Sequence, residues 1–418
     1  MEIVNSLNLL KIVHAIVKRI DEEIIVHGEE TAYIAYMIGR SLGYSPQELY
    51  YLIIIAEIHD LGAYKTEKDK SLIDFDFSSP KFHSCYGYVL LKETAGFKNY
   101  AGNILYHHTS YSNRSNPIYN IPIPDDTFII SLADTLSLIC NLSKYNKENI
   151  LLRLSYLNKN FFNPKHIEIL NNLIENENLL ENIISGEYKI VLKTILKEQF
   201  VNLDDALEYI ALIPLSIDMF NYDTSIHTYS VSLVSSMLAK KLNLDKDTTT
   251  MISIASYLHD LGKVTTPKDI LEKEGKLTKD EFQVMKNHVV ATREILEDAK
   301  VNPTLVDLAC NHHEKLNGQG YPRGLDESSL TMADRILSIS DIFCALTEKR
   351  SYKKPFTEEN IKEILLDMCS KNYIDKNITN VILDNCSEFI CYVNEYREHY
   401  ESKLFKLIDE YYKLIALY

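Results

Sequence analysis

Several things are scarce in this chain, and each scarcity narrows what it can be. Its longest apolar run, Tyr50 to Ala56, is far short of the roughly 20 residues that span a bilayer, so no membrane insertion is expected. The seven cysteines (Cys85, Cys140, Cys310, Cys344, Cys369, Cys386 and Cys391) are odd in number and contain no Cys-x-x-Cys pair, which reads as reduced thiols in a cytoplasmic protein. Positive charge is short as well. Lys and Arg number 44 against 59 Asp and Glu, and the net charge of −15 argues against extended nucleic acid or an anionic membrane surface as partner. An anionic ligand must then be held locally. No Gly/Ser-rich or Pro-rich linker interrupts the 418 residues, and no run alternates with period two for long enough to suggest a sheet. Glu2 and the amphipathic Ile3–Ile20 pattern argue against a signal peptide or an anchor.

What the chain does have is histidine in an ordered series. His227, His259-Asp260, His288, His312-His313 and Asp341 follow one another, and the same series stands earlier as His27, His59-Asp60, His83, His107-His108 and Asp134. The offset is 200 at the first two positions, 205 at the next two and 207 at the last, the drift expected of loops changing length between conserved-length helices in a tandem duplication. Ten of the 13 histidines fall in the two series, leaving His14, His166 and His399 outside. A lone histidine is more often a satisfied core residue than a ligand. Two ordered sets of five, each with a His-Asp pair, a His-His pair and a downstream Asp, have the donor types and the number for two metal ions sharing a bridging carboxylate.

The intervening segments read as helices. Ser45-Pro46-Gln47-Glu48 and Thr278-Lys279-Asp280-Glu281 are capping boxes, the first with Pro at N1, and Gly43 closes the helix before it. His59-Asp60 is expected in the last turn of a buried helix. Thr127–Leu142, apolar almost all round, is expected to be central, and the polar Thr109–Asp126 stretch to be a loop beside the site. The expected architecture is all-α, two tandem helical bundles over residues 1–200 and 201–418, packed together rather than flexibly tethered.

Residues 227–355 resemble an HD-GYP domain, a branch of the all-helical HD superfamily whose members hydrolyse cyclic dinucleotides, above all cyclic di-GMP. The resemblance rests on His259-Asp260-Leu261-Gly262-Lys263, on His312-His313-Glu314 followed by Gly320-Tyr321-Pro322, and on Ser340–Leu346 leading into Arg350 and Tyr352. It implies that His227, His259, Asp260 and Asp341 hold one metal and that Asp260, His288, His312 and His313 hold the other, with iron or manganese favoured. Two such cations lower the pKa of a shared water and neutralise the phosphate it attacks. Asp260 and Lys263 are then the catalytic residues, Lys263 reaching the attacked phosphate or the leaving oxygen. Lys263, Gly320, Tyr321, Pro322, Arg323, Arg350 and Lys353 are the candidates for substrate binding, with Lys354 beside them. Asn317 stands where the family usually has Asp, which argues against a third metal.

The first half resembles the broader superfamily without the Gly-Tyr-Pro turn. Its seven ligand candidates His27, His59, Asp60, His83, His107, His108 and Asp134 predict one or two metals, but Ala63 replaces Lys263 and Thr109 replaces Glu314. A metal-bearing regulatory or pocket-shaping role is expected there, with a second phosphohydrolase as the runner-up. For the whole chain the expectation is a metal-dependent phosphodiesterase that cuts a cyclic dinucleotide, cyclic di-GMP first, to the linear dinucleotide or to mononucleotide. A silent cyclic-dinucleotide receptor and a nucleotidase or phosphatase are the competing readings. Beyond the cyclic dinucleotide, a homodimer or a signalling protein is the partner considered.

Overall fold

The structure, a computed structural model, describes residues 12, 22–60, 62, 80–94, 97–197, 207, 210, 222–271, 273, 275–348 and 355–417. Apart from Ile12, the amphipathic Ile3–Ile20 stretch lies outside them, as do Ala63, Arg350, Tyr352, Lys353 and Lys354. Among the described residues every regular element is a helix, and the one β-type pairing is an isolated bridge between Asn317 and Asp326.

The chain divides into two compact units. The first is built from residues 17–200 and the end of the last helix, from Leu407 on; the second is built around residues 201–406, and Ile12 is buried in its core. In the first unit α1 (Glu22–Ser41) packs against α2 (Pro46–Glu57) and α5 (Thr127–Leu142), while α3 (Pro80–Leu91) packs on α4 (Ala101–Tyr106). The short helices α6 (Lys147–Ser155), α7 (Pro164–Asn176), α8 (Leu179–Ser185) and α9 (Tyr188–Lys197) complete this unit.

The second unit repeats those pairings. Here α10 (Tyr222–Lys241) packs against α11 (Lys246–Leu258) and α15 (Met332–Thr347). A one-turn α12 (Lys268–Leu271) leads to α13 (Lys279–Asp298), which packs on α14 (Pro303–Cys310). The chain then finishes with α16 (Glu358–Ser370), α17 (Lys376–Asp384) and α18 (Cys386–Leu417).

Local chemistry explains where these helices begin. Ser45 and Thr278 form the two expected capping boxes, and Pro46 and Pro303 occupy first-turn positions where a missing N–H costs nothing. The central place of α5 follows from its composition: Phe128, Ile129, Ile130, Leu132 and Leu136 are all buried, each worth about 1.5–3 kcal/mol when removed from water. One expectation shifts. The α-helices stop at Glu57 and Leu258, so each His-Asp pair sits just beyond the last turn, where the chain is free to bend.

Candidate metal centres

In the second unit the bend after α11 positions the chemistry. The segment Leu261–Thr265 forms a 3-10 turn pressed onto α13, and Gly262 makes this approach feasible: a Cβ there would lie 1.9 Å from the carbonyl oxygen of His288. The Gly262 N–H donates to Thr292 Oγ1 at 2.9 Å, and that hydroxyl donates to the His259 carbonyl at 3.2 Å. Asp260 is thereby carried to the face of α13 that bears His288.

Three imidazoles are oriented by one device. Nδ1 of His259, His288 and His312 lies 2.6, 2.6 and 2.8 Å from the backbone carbonyl three residues earlier, of Ser256, Met285 and Ala309. A carbonyl oxygen only accepts, so the proton sits on Nδ1 and Nε2 turns an open lone pair inward. Those lone pairs face other acceptors. His259 Nε2 is 3.1 Å from Asp260 Oδ2, and His288 Nε2 is 3.3 Å from Asp260 Oδ1 and 3.5 Å from His312 Nε2. His259 Nε2 is buried without a hydrogen-bond partner. A cation satisfies acceptors that converge in this way, so the donor set fits a metal.

His227 and His313 complete the cluster. His227 Nε2 is 3.0 Å from Asp341 Oδ1 and 3.9 Å from Asp260 Oδ2, and His313 Nδ1 is 3.8 Å from Asp341 Oδ2. The side chains group as His227, His259 and Asp341, as His259, Asp260 and His312, and as His288, His312 and His313. Lys263 Nζ sits 2.5 Å from Asp260 Oδ2.

The first unit arranges its seven residues in the same way. Asp60 Oδ2 is 3.7 Å from His27 Nε2 and 3.4 Å from His59 Nε2, whereas Oδ1 is 3.3 Å from His83 Nε2 and 3.6 Å from His107 Nε2. Asp134 Oδ1 is 3.0 Å from His27 Nε2. His83 Nε2 approaches Nε2 of His107 and His108 at 3.1 and 2.8 Å. His27 Nε2, His59 Nε2, Asp60 Oδ1 and Asp134 Oδ1 are buried without hydrogen-bond partners.

Electrostatics follow from these distances. Burial pushes the His227 imidazole down, but the carboxylates of Glu348 and Asp341 outweigh it and carry it up to about 10. For His59, Asp60 and Asp134 likewise overcome burial, to about 9. Burial wins at His83, down to about 3, and at His313, down to about 4. Burial raises Asp260, but His259 and Lys263 hold it well below the ordinary carboxylate range.

Two groups in the surroundings escaped the sequence reading. His227 Nδ1 lies 2.6 Å from Glu348 Oε1, and Arg397 on α18 comes within 3.5 Å of that carboxylate while donating to the Thr347 carbonyl and Ser230 Oγ. Glu348 stands seven residues after Asp341 and directly after the last residue of α15, and that i+7 spacing is the signal that could have found it. In the first unit His27 Nδ1 instead meets Ser137 Oγ at 3.0 Å, and Ser137 donates to the buried Glu30 at 2.8 Å.

The segment after His313 is held by Glu314, whose buried carboxylate accepts from the N–H groups of Arg323 at 2.7 Å and Leu325 at 2.9 Å. Gly320 crosses over Glu314 so closely that a Cβ would be 2.4 Å from the Glu314 Cα. Tyr321, followed by Pro322, sets its ring 4.7 Å from that of His313. The Arg323 guanidinium donates to Asn311 Oδ1 at 2.9 Å and pairs with Asp307 at 3.1 Å, anchoring the loop. Asn317 is also spent on backbone, donating to the Lys371 carbonyl and accepting from the Gln319 N–H.

Comparison with known proteins places this geometry. Residues 24–139 and residues 207–378 each match a family model described as HD domain. The chain is 26% identical to 3'3'-cGAMP-specific phosphodiesterase 1 of Vibrio cholerae serotype O1 over 359 residues, 82% of each chain. It is 38% identical to 3'3'-cGAMP-specific phosphodiesterase 2 of the same organism, over 38% of this chain and 31% of the relative. A cyclic di-GMP phosphodiesterase of Thermotoga maritima is 34% identical over 40% of this chain and 47% of the relative. The chain thus spans most of the first relative and under half of the other two. A crystal structure of a cyclic GMP-AMP specific phosphodiesterase of V. cholerae shares the fold, with a TM-score of 0.54 at 19% identity over 93% of this chain and 97% of that one. Among the described residues no helix is long and apolar enough to cross a membrane.

Proposed function

The chain belongs to the HD superfamily, as a protein with two HD domains in tandem, and from that premise we propose that it is a metal-dependent phosphodiesterase opening a cyclic dinucleotide in its second unit. The observation that carries this reading is the split of Asp260: one carboxylate oxygen lies 3.1 Å from His259 and the other 3.3 Å from His288. A carboxylate placed so would be a ligand common to two cations. His227, His259, Asp260 and Asp341 would hold one, and Asp260, His288, His312 and His313 the other. Bound there, divalent cations supply Lewis acidity, activating water and drawing charge from the phosphate oxygens. Mixed imidazole and carboxylate donors favour iron or manganese over magnesium.

The chain's own residues do the rest. Glu348 keeps the His227 Nδ1 proton in place, so that Nε2 stays directed inward. Lys263 holds its ammonium at the edge of Asp260, where it can hand a proton to the departing ribose oxygen. Tyr321 covers the His313 side of the centre. The first unit has a matching ligand set but Ala63 and Thr109 in place of Lys263 and Glu314. We assign it a metal-bearing regulatory or pocket-shaping role, with a second phosphohydrolase as the alternative, and read the two units as products of a duplication. The seven unpaired cysteines support a reducing, cytoplasmic setting.

Cyclic di-GMP is the substrate the Gly-Tyr-Pro resemblance favours. The similarity to a 3'3'-cGAMP-specific phosphodiesterase over 82% of the chain puts 3'3'-cGAMP beside it. The test is chromatography of both dinucleotides after incubation with manganese- or iron-loaded protein, compared with Asp260→Ala and Asp60→Ala. Asp260→Ala should abolish turnover and Asp60→Ala should not. Full activity in Asp260→Ala would sink the two-metal reading, while binding without turnover in the loaded wild type would make the protein a receptor.

A further inference from the structure

At the mouth of the second unit's His/Asp cluster, two side chains that no motif includes, Phe282 and Lys286, stand against Tyr321 of the Gly-Tyr-Pro turn. Phe282, in the first turn of α13, is a large apolar residue left 47% exposed. Its ring lies 6.5 Å from that of Tyr321, edge to face, and Tyr321 in turn lies 4.7 Å from the ring of His313. Lys286, one helical turn after Phe282, places Nζ 5.0 Å from the Phe282 ring and 4.9 Å from the Tyr321 ring. The result is a short aromatic wall leading from solvent to a ligand imidazole, with one cation held between its two rings. In a chain of net charge −15, a lysine fixed there gives local positive charge beside the cluster.

We propose that Phe282 and Tyr321, with Lys286 between them, form the stacking wall for a purine base of the nucleotide whose phosphate is at the metal cluster. This rests on the proposed phosphodiesterase reading for its phosphate, and on the wall's own geometry for its base. A base offers a π-face to an aromatic ring whatever its identity, so the wall contributes affinity more than base choice. Exposure of Phe282 is what such a role requires, because the ring must be open to receive its partner. Lys286 steers the anionic nucleotide and makes binding sensitive to salt.

The absence of tryptophan from the chain supplies the test. Phe282→Trp installs the only indole in the protein. Its emission should change saturably on titration with a phosphorothioate cyclic dinucleotide that resists hydrolysis, and should not respond to ribose 5-phosphate. Phe282→Ala should raise KM roughly tenfold, the effect of losing one base–aromatic stack, while kcat holds. Lys286→Ala should flatten the salt dependence of KM. An indole blind to the dinucleotide, together with an unchanged KM in Phe282→Ala, overturns the wall. Should the loaded wild type hydrolyse no cyclic dinucleotide, the same indole titrated with a purine mononucleotide decides the wall separately: a response supports it and silence overturns it.

Discussion

At the scale of single residues, His227 differs from His259, His288 and His312 because a carboxylate rather than a carbonyl faces its Nδ1. Glu348 is itself fixed by Arg397, so the orientation of this imidazole depends on a chain of charged contacts. Outer partners of this kind commonly change metal affinity about 10–100-fold. Glu348→Gln should therefore weaken manganese binding by that order in a calorimetric titration, and Glu348→Asp should recover part of it. The pH dependence has a definite sign. With its folded value carried from 6.5 up to about 10, His227 is charged near neutrality in the metal-free protein. Its stabilising contribution is then complete below about 6.5 and is lost as pH rises through about 10. Metal uptake through Nε2 must displace that proton, so affinity should climb about tenfold per pH unit from neutrality toward 10. Calorimetry in buffers of different ionisation enthalpy should count about one proton released at this ligand, and less in Glu348→Gln. Affinity that is flat with pH would show that His227 is not a ligand.

Among the elements, the turn between α11 and α13 bears the most on the site. A Cβ on Gly262 would strike backbone, the His288 carbonyl at 1.9 Å and the Thr292 nitrogen at 2.6 Å, so no rotamer relieves it. Gly262→Ala should cost about 1–3 kcal/mol by overpacking and separate Asp260 from His288, read as a lower Tm and loss of bound metal. A variant with wild-type metal content would contradict this account of how the turn places Asp260. The same turn shows what a sequence can and cannot reveal. The closeness of His259, Asp260 and Lys263 was legible because they are neighbours along the chain, and the capping boxes at Ser45 and Thr278 because three-residue spacing encodes them. Arg397 was not, since it lies 49 residues from Glu348 and 167 from Ser230, and no local period marks such a contact. Arg323 shows a related limit: a cation beside Gly-Tyr-Pro suggests substrate, and only the fold reveals Asn311 and Asp307 as its partners within the chain. Phe282 and Lys286 stood in an amphipathic helix where exposure, the informative property, is invisible in one dimension.

For the molecule as a whole, each unit keeps five imidazoles and two carboxylates in a cluster that includes buried polar atoms without hydrogen-bond partners, several in the first unit and His259 Nε2 in the second. Removing such groups from water is costly unless charge or coordination offsets it, so metal binding and folding should be linked in both units. A ligand that binds only the folded chain stabilises it by about 4 kcal/mol at a thousandfold excess over its Kd. Manganese should therefore raise the Tm of the metal-stripped protein, and chelation should lower that of the loaded one. The two clusters make this divisible. Asp60→Ala and Asp260→Ala should each retain part of the metal-induced rise and part of the bound metal, about two ions of about four, and the double variant should retain neither. If Asp60→Ala changes neither metal content nor the rise, the first unit's ligand set is a folded relic and all metal chemistry belongs to the second. If it removes metal and also alters KM or kcat for the cyclic dinucleotide, the first unit governs the second, and its complete ligand set is explained by regulation without a second active site.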